Sequence, residues 1–129
     1  QARPPAADWR QISNPLQTAE TTEYTAKTTS QASGDPGAGN LVWNTAGQSN
    51  ATELYLDSLS NQGVDVTNYL LTLKAGDRVF IQRLSDANQW QSFDLTSVTN
   101  MSGWVKLVVV PVGSNGATFA NNNLVKLAA

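Results

Sequence analysis

The sequence predicts a mainly β fold: a small antiparallel β-sandwich or barrel with one short helix and an extended N-terminal arm. Three observations carry this. Short runs that alternate apolar and polar residues recur between clusters of turn-forming residues, the pattern of half-buried strands. The polar residues are mostly uncharged Thr, Ser, Asn, Gln and Gly, and only 14% of the chain is charged, against about 25% in an average soluble domain. The composition changes at Gly34, so two regions are expected: an arm over 1–33 and a β domain over 34–129.

The arm comes first. Pro4, Pro5 and Pro15 interrupt any helix. Thr18, Thr21, Thr22, Thr25, Thr28 and Thr29 are β-branched and polar, and such a stretch buries too little surface to offset its ordering entropy alone. A mobile leader is the plainer reading. The spaced apolar residues Trp9, Ile12, Leu16 and Tyr24 favour an arm that orders along a partner, since a linker needs no large apolar side chains.

The run GDPGAG over 34–39 marks a turn. It lacks the Lys-Ser/Thr end and following helix of a phosphate-cradling loop. Leu41–Asn44 reads as a strand. Glu53–Asp57 is a second, with Leu54 and Leu56 on one face and Glu53, Tyr55 and Asp57 on the other. The helix is expected over Asp65–Leu73: Asp65 suits the N-cap, Val66, Leu70 and Leu73 recur at i, i+4 and i+7, and Gly76 stands where helices stop. Asp77–Leu84 returns to strand, Ser85–Gln89 turns, and Trp90–Val98 is a strand with Phe93 and Leu95 on the face opposite Trp90. Asn100–Gly103 turns. Trp104–Val110 is nearly continuous in apolar character and is expected to be the most central strand, ended by Pro111. Leu124–Leu127 is the sixth and last.

Composition also bears on function. The chain has 129 residues, a formal net charge of −2, no Cys and no His. Disulfides are excluded, and so are the usual general base near neutral pH and the commonest metal ligand. The eight basic residues are scattered, so no nucleic-acid partner is expected, and no apolar run approaches a membrane span. The first residues carry Arg3 but no apolar stretch of the secretory kind, and a chain beginning at Gln1 leaves room for a preceding segment. Chemistry would fall to the ten carboxylates, and no spacing selects a pair among them. Asp65 and Asp77 are read as cap and turn residues. Asp35 or Asp57 with nearby carbonyls could approach a Ca²⁺ ion, though without EF-hand spacing. No catalytic residue, cofactor or metal is therefore expected. Trp43, Trp90 and Trp104 could stack on sugar rings, but packing in a core or subunit contact is the commoner use of Trp. Asn50-Ala51-Thr52 and Asn100-Met101-Ser102 match the N-glycosylation pattern, as chance predicts in a chain this rich in Asn, Ser and Thr.

GDPGAG (34–39), Trp43-Asn44, ATELYLDSL (51–59), GVDVTNYLLTLKAGD (63–77), IQ (81–82), WQSFDL (90–95) and GWV (103–105), in that order, resemble a module of tailed-bacteriophage structural proteins of the tail-fibre and head-fibre type. The resemblance covers 34–129. It implies a virion component without catalytic residues, oligomeric and compact. A short chain with an arm and one β domain looks more like a capsid decoration (cement) protein than a fibre, which would carry a long shaft. That likeness implies a homotrimer on the capsid surface, with the major capsid protein or other virion subunits as partners and Trp9, Ile12, Leu16 and Tyr24 as docking residues. The rival is a tail- or head-fibre module touching the host surface, binding glycans through Trp43, Trp90 or Trp104.

Overall fold

A computed structural model describes residues 21–115 and 118–129. Among them seven strands close into a barrel: β1 (Thr21–Lys27), β2 (Asn40–Trp43), β3 (Glu53–Asp57), β4 (Arg78–Arg83), β5 (Asp86–Asn100), β6 (Trp104–Ser114) and β7 (Leu124–Ala128). Their order around the wall is β1-β2-β3-β6-β5-β4-β7, with β7 returning to β1. A 3₁₀ turn, Gln48–Asn50, precedes β3, and the helix α1, Thr67–Leu71, lies between β3 and β4. Closure leaves no free sheet edge, which suits a wall with few charged residues to guard one. All neighbours are antiparallel except β1 and β2, which run parallel with Thr25 opposite Asn40. Parallel neighbours cannot be joined by a tight hairpin. The connection over 28–39 is accordingly long. It lies over the outside of β3, bringing Ser33 near Tyr55 and Asp35 near Asp57.

Period-two alternation fills the interior. β1 turns Tyr24 and Ala26 inward, β3 Leu54 and Leu56, β4 Val79 and Ile81, β5 Phe93 and Leu95, β6 Val105, Leu107 and Val109, and β7 Val125 and Leu127. Leu70 of α1 and Leu73 just beyond it join the same core. Tyr55 and Asp57 point the other way from Leu54 and Leu56, yet both are buried, because the 28–39 connection and the Trp104 ring cover them.

Several expectations need correction. The arm does not extend to residue 33. Residues 21–27 form β1, hydrogen-bonded on one side to β2 and on the other to β7. The Thr-rich composition that suggested an arm is equally the composition of a strand, and Thr22, Tyr24 and Ala26 are its buried face. The helix is shorter than expected. Asp65 does receive the Thr67 N–H at 2.9 Å and the Thr67 hydroxyl at 2.7 Å, but it does so from a β-bridge with Leu59, two residues ahead of the helix. In a closed barrel β6 is no more central than its neighbours, and Pro111 does not end it: β6 runs to Ser114 with Pro111 opposite Phe93. The reason lies in the neighbouring strand. The Val109 N–H points towards β3 and donates to the Thr52 carbonyl at 2.9 Å. The Pro111 nitrogen, two residues on, points to the same side, where β3 has already ended, so no ladder bond is lost. The hairpin after β4 is tighter than expected, turning at 84–85, and β5 begins at Asp86. The turn into β6 is where the sequence puts it. Ser102 and Gly103 both have positive φ (62° and 100°), the mirror-image turn that matches strand twist.

Candidate functional site

Of the four expected docking residues, Trp9, Ile12 and Leu16 lie outside the described residues. Tyr24 is a core residue, fully buried in β1, and its hydroxyl donates to the Asp57 carbonyl oxygen at 2.8 Å. Burial, with Asp57 and Asp65 adding to it, pushes the phenol well above its ordinary pKa. It is a structural bolt between β1 and β3 and has no surface to offer a partner.

The three Trp do not assemble one stacking surface. Trp43 is buried against Phe119, with ring centres 5.7 Å apart, and its indole N–H donates to Gln91 Oε1 at 2.9 Å. Stacking on a sugar is closed to it. Trp104 is half-buried at the start of β6, edge-on to Tyr55 at 5.7 Å. Trp90 is half-buried on the outer face of β5, opposite Gln82 of β4 and 6.4 Å from Phe80.

The surroundings of Trp90 form the most distinctive outer surface of the barrel. The pairings place Thr21, Ala128, Phe80, Ser92 and Gly113 in one row across β1, β7, β4, β5 and β6. Arg78, Asp94 and Val110 form the outward row on one side, and Trp90 flanks it on the other. Phe80, Val110 and Val112 are 43%, 55% and 44% exposed. The Trp90 ring lies over the small residue Gly113, 3.8 Å from where a Cβ would stand, an ordinary contact. Phe80, Trp90, Val110 and Val112 thus give this face an apolar stripe, with the Arg78–Asp94 ion pair (2.6 Å) at its side. Alternation in Arg78–Arg83 could have revealed Phe80. The cross-strand row could not be read without the register.

At the Thr21 end of this row the wall opens into a groove of about 500 Å³ between α1 and the ends of β4 and β7, lined by Tyr69, Leu73, Phe80, Ala128 and Ala129 with Asp77 and Arg78 at its rim.

Several of the described carboxylates have local structural partners. Asp65 precedes α1, and the Thr67 hydroxyl, then the Thr67 N–H, hold it below the usual range. Asp77 accepts the Lys74 N–H at 2.9 Å, and Asp94 pairs with Arg78. Asp35 and Asp57, the two suggested for Ca²⁺, do come together. Burial raises the Asp57 pKa, the Asp35 carboxyl beside it adds to the rise, and the Leu59 and Gly39 N–H groups oppose it. Among the described residues no three Asp, Glu, His or Cys side chains gather closely enough to hold a metal ion. A buried amide chain was invisible in the sequence: Gln91 Nε2 donates to Gln48 Oε1 at 2.9 Å, and Gln48 also bonds both backbone groups of Phe119. Comparison with protein-family models, curated proteins and solved structures finds no match.

Proposed function

We propose that this protein is a non-enzymatic bacteriophage virion component, a capsid decoration (cement) protein that grips the shell through Trp9, Ile12 and Leu16. The observation that carries this reading is the way the arm is rooted. Residues 1–20 lead directly into β1, and β1 is hydrogen-bonded on both edges, with Thr25 opposite Asn40 on one side and Leu124 on the other. A load on the arm therefore runs along a strand held by two ladders, and removing β1 means shearing both at once. That is a good root for a tether. The tailed-phage resemblance over 34–129 supplies the setting, and a threefold assembly would multiply three weak arms into firm attachment. The test is to strip particles of the protein and measure rebinding of the full chain and of W9A/L16A. The variant is expected to rebind far more weakly, with little response to salt, because the contact is apolar. Equal rebinding would remove the arm from the mechanism.

A second reading draws on Trp90 and Phe80. The exposed Phe80 ring beside the half-buried Trp90 offers an aromatic face on the outer wall that can stack on a sugar ring, which favours a fibre module touching host glycans. Quenching of Trp fluorescence by oligosaccharide in the full chain, lost in W90A, would support it. Location of the protein at the tail rather than across the shell would support it independently.

A further inference from the structure

We propose that residues 28–39 form a proton-operated strap: while the Asp35 and Asp57 carboxyls share one proton the strap lies on β3, and loss of that proton lifts it from Tyr55. This goes beyond the virion reading and does not rest on it. The segment is fixed at its two ends. The Thr28 N–H donates to Asn121 Oδ1 at 3.0 Å, and the Gly39 N–H donates to the Leu59 carbonyl at 3.2 Å. Between them the hydrogen bonds turn back on the segment itself: Gln31 Nε2 to the Thr28 carbonyl, the Ala32 N–H to Ser30 Oγ, and the Gly37 N–H to Asp35 Oδ1. A pocket of about 400 Å³ opens between the segment and the wall, with Ser30, Ser33 and Asp35 on one side and Lys27, Asn40 and Val42 on the other. Its strap side is mostly polar, so apolar packing does little to seal it. The contact of Asp35 with Asp57 falls where the strap crosses the end of β3.

Three elements meet at that crossing. Asp57 ends β3 and is buried, and its Oδ2 accepts the Leu59 N–H at 2.9 Å. Asp35 is exposed, so a proton leaving the pair has a path to water. Gly103 of the β5–β6 turn lies beside both. A Cβ on it would stand 3.8 Å from Asp35 Oδ2, and its carbonyl accepts the Ser58 N–H at 3.1 Å. Around the pair, β3 adds Glu53, which accepts the Tyr55 hydroxyl, and β6 adds Lys106, opposite Tyr55. β1 adds Tyr24, whose hydroxyl donates to the Asp57 carbonyl oxygen, and Tyr69 and Asp65 stand near Tyr24 in turn. Two carboxylates in one site repel when both are charged, and a neutral carboxyl that donates to a charged one turns the repulsion into a hydrogen bond. Burial raises the affinity of Asp57 for its proton, and Asp35 adds to the rise. The closed strap therefore holds the proton more tightly than the open one, so low pH favours closure and rising pH opens it. Gly34, with nothing within 4 Å of where a Cβ would stand, and Gly37 leave the backbone free to turn on either side of Asp35.

The test is an NMR titration of the full chain from about pH 3 to about pH 8, a range that spans the ordinary Asp pKa of about 3.9. Amide resonances of Gly37, Gly39 and Tyr55 are expected to shift together, with one midpoint above that ordinary value. Heteronuclear NOE values of residues 30–37 are expected to fall through the same midpoint while those of β3 and β6 stay high. Asp35→Asn, which sets a neutral amide against Asp57 at every pH, is expected to keep the strap ordered throughout and abolish the common midpoint. Glu53→Gln is expected to leave the transition in place, which separates it from titration of the carboxylate beside Tyr55. Equal mobility of residues 30–37 at both ends of the titration would overturn the proposal, as would the same transition in Asp35→Asn or its loss in Glu53→Gln. Loss of order throughout the barrel at that midpoint would overturn it too, by making the pair a matter of overall stability alone. None of these outcomes depends on shell rebinding, so the two readings fail separately.

Discussion

Gln48 and Gln91 face each other inside the barrel, the Gln91 Nε2 donating to Gln48 Oε1 at 2.9 Å. Each has a second duty. Gln91 Oε1 accepts the Trp43 indole N–H, and Gln48 holds both the N–H and the carbonyl of Phe119. The chain of amides thus ties β2, β5, the 3₁₀ turn and the segment before β7. It satisfies the polar edge of a Trp that is otherwise in the core.

Gln91→Leu should therefore be destabilising although it adds apolar volume. It leaves the Trp43 N–H and one Gln48 site buried without a partner, a loss of about 1–3 kcal/mol. Gln48→Leu should cost a similar amount through Phe119. The double variant should cost less than the sum, because the second change removes a group the first had orphaned. Urea midpoints of the three variants check this, and strict additivity would show that the two amides act independently.

The Asp35–Asp57 pair predicts a pH effect with a definite sign. Burial and then the neighbouring Asp35 carboxyl raise the Asp57 pKa in the fold. A carboxyl that binds its proton more tightly when folded favours the fold below its unfolded pKa, and that benefit is lost as pH rises through the folded value. Asp35→Asn removes the like charge and keeps an oxygen for the Gly37 N–H, which Asp35 Oδ1 now receives at 2.9 Å. The variant is expected to have a higher Tm than the parent at neutral pH, with the gain disappearing towards about pH 3, where unfolded carboxyls are protonated too. A Tm difference independent of pH would refute the coupling.

Two positions on opposite faces of β6 provide a test of the wall. Leu107 is fully buried between β3 and β5, and Val110 is 55% exposed on the stripe. Leu107→Ala should cost about 2–5 kcal/mol. Val110→Thr should stay within about 0.5 kcal/mol. Denaturant unfolding of both variants measures the contrast, and similar losses would mean that β6 is not turned as described.

The sequence made the wall legible wherever alternation was strict. Glu53–Asp57 was readable to the residue, and Val79, Ile81, Val105, Leu107 and Val109 show their inward face in one dimension. It misled where one composition fits two states. Thr21–Lys27 has the β-branched polar make-up of both an arm and an edge-like strand, and only the hydrophobic partners waiting at Leu41, Val125 and Leu127 decide for the strand. Pro111 misled for the opposite reason: a local rule about ladders says nothing about which side of the strand has a neighbour. The stripe around Phe80 and the Gln48–Gln91 contact depend on cross-strand register. Register is a property of pairs far apart in the chain, so neither could be read locally.

The boundary of the β domain can be settled by deletion, and the two candidate boundaries give opposite outcomes. If the domain began at Gly34, a chain lacking 1–33 would fold. In the barrel that deletion removes β1, takes Tyr24 and Ala26 out of the core, and breaks the Tyr24–Asp57 hydrogen bond. It also exposes one edge of β2 and one of β7, each with a row of unpaired N–H and C=O groups. Loss of a buried aromatic alone costs about 3–5 kcal/mol, a large share of the 5–15 kcal/mol that holds a domain together. Deletion of 1–33 is thus expected to abolish cooperative unfolding or to give aggregates through the opened edges. Deletion of 1–20 keeps every described strand and is expected to preserve a cooperative transition. Circular dichroism with thermal melting reads both. A cooperative melt of the shorter chain would show that β1 is dispensable and return 21–33 to the arm.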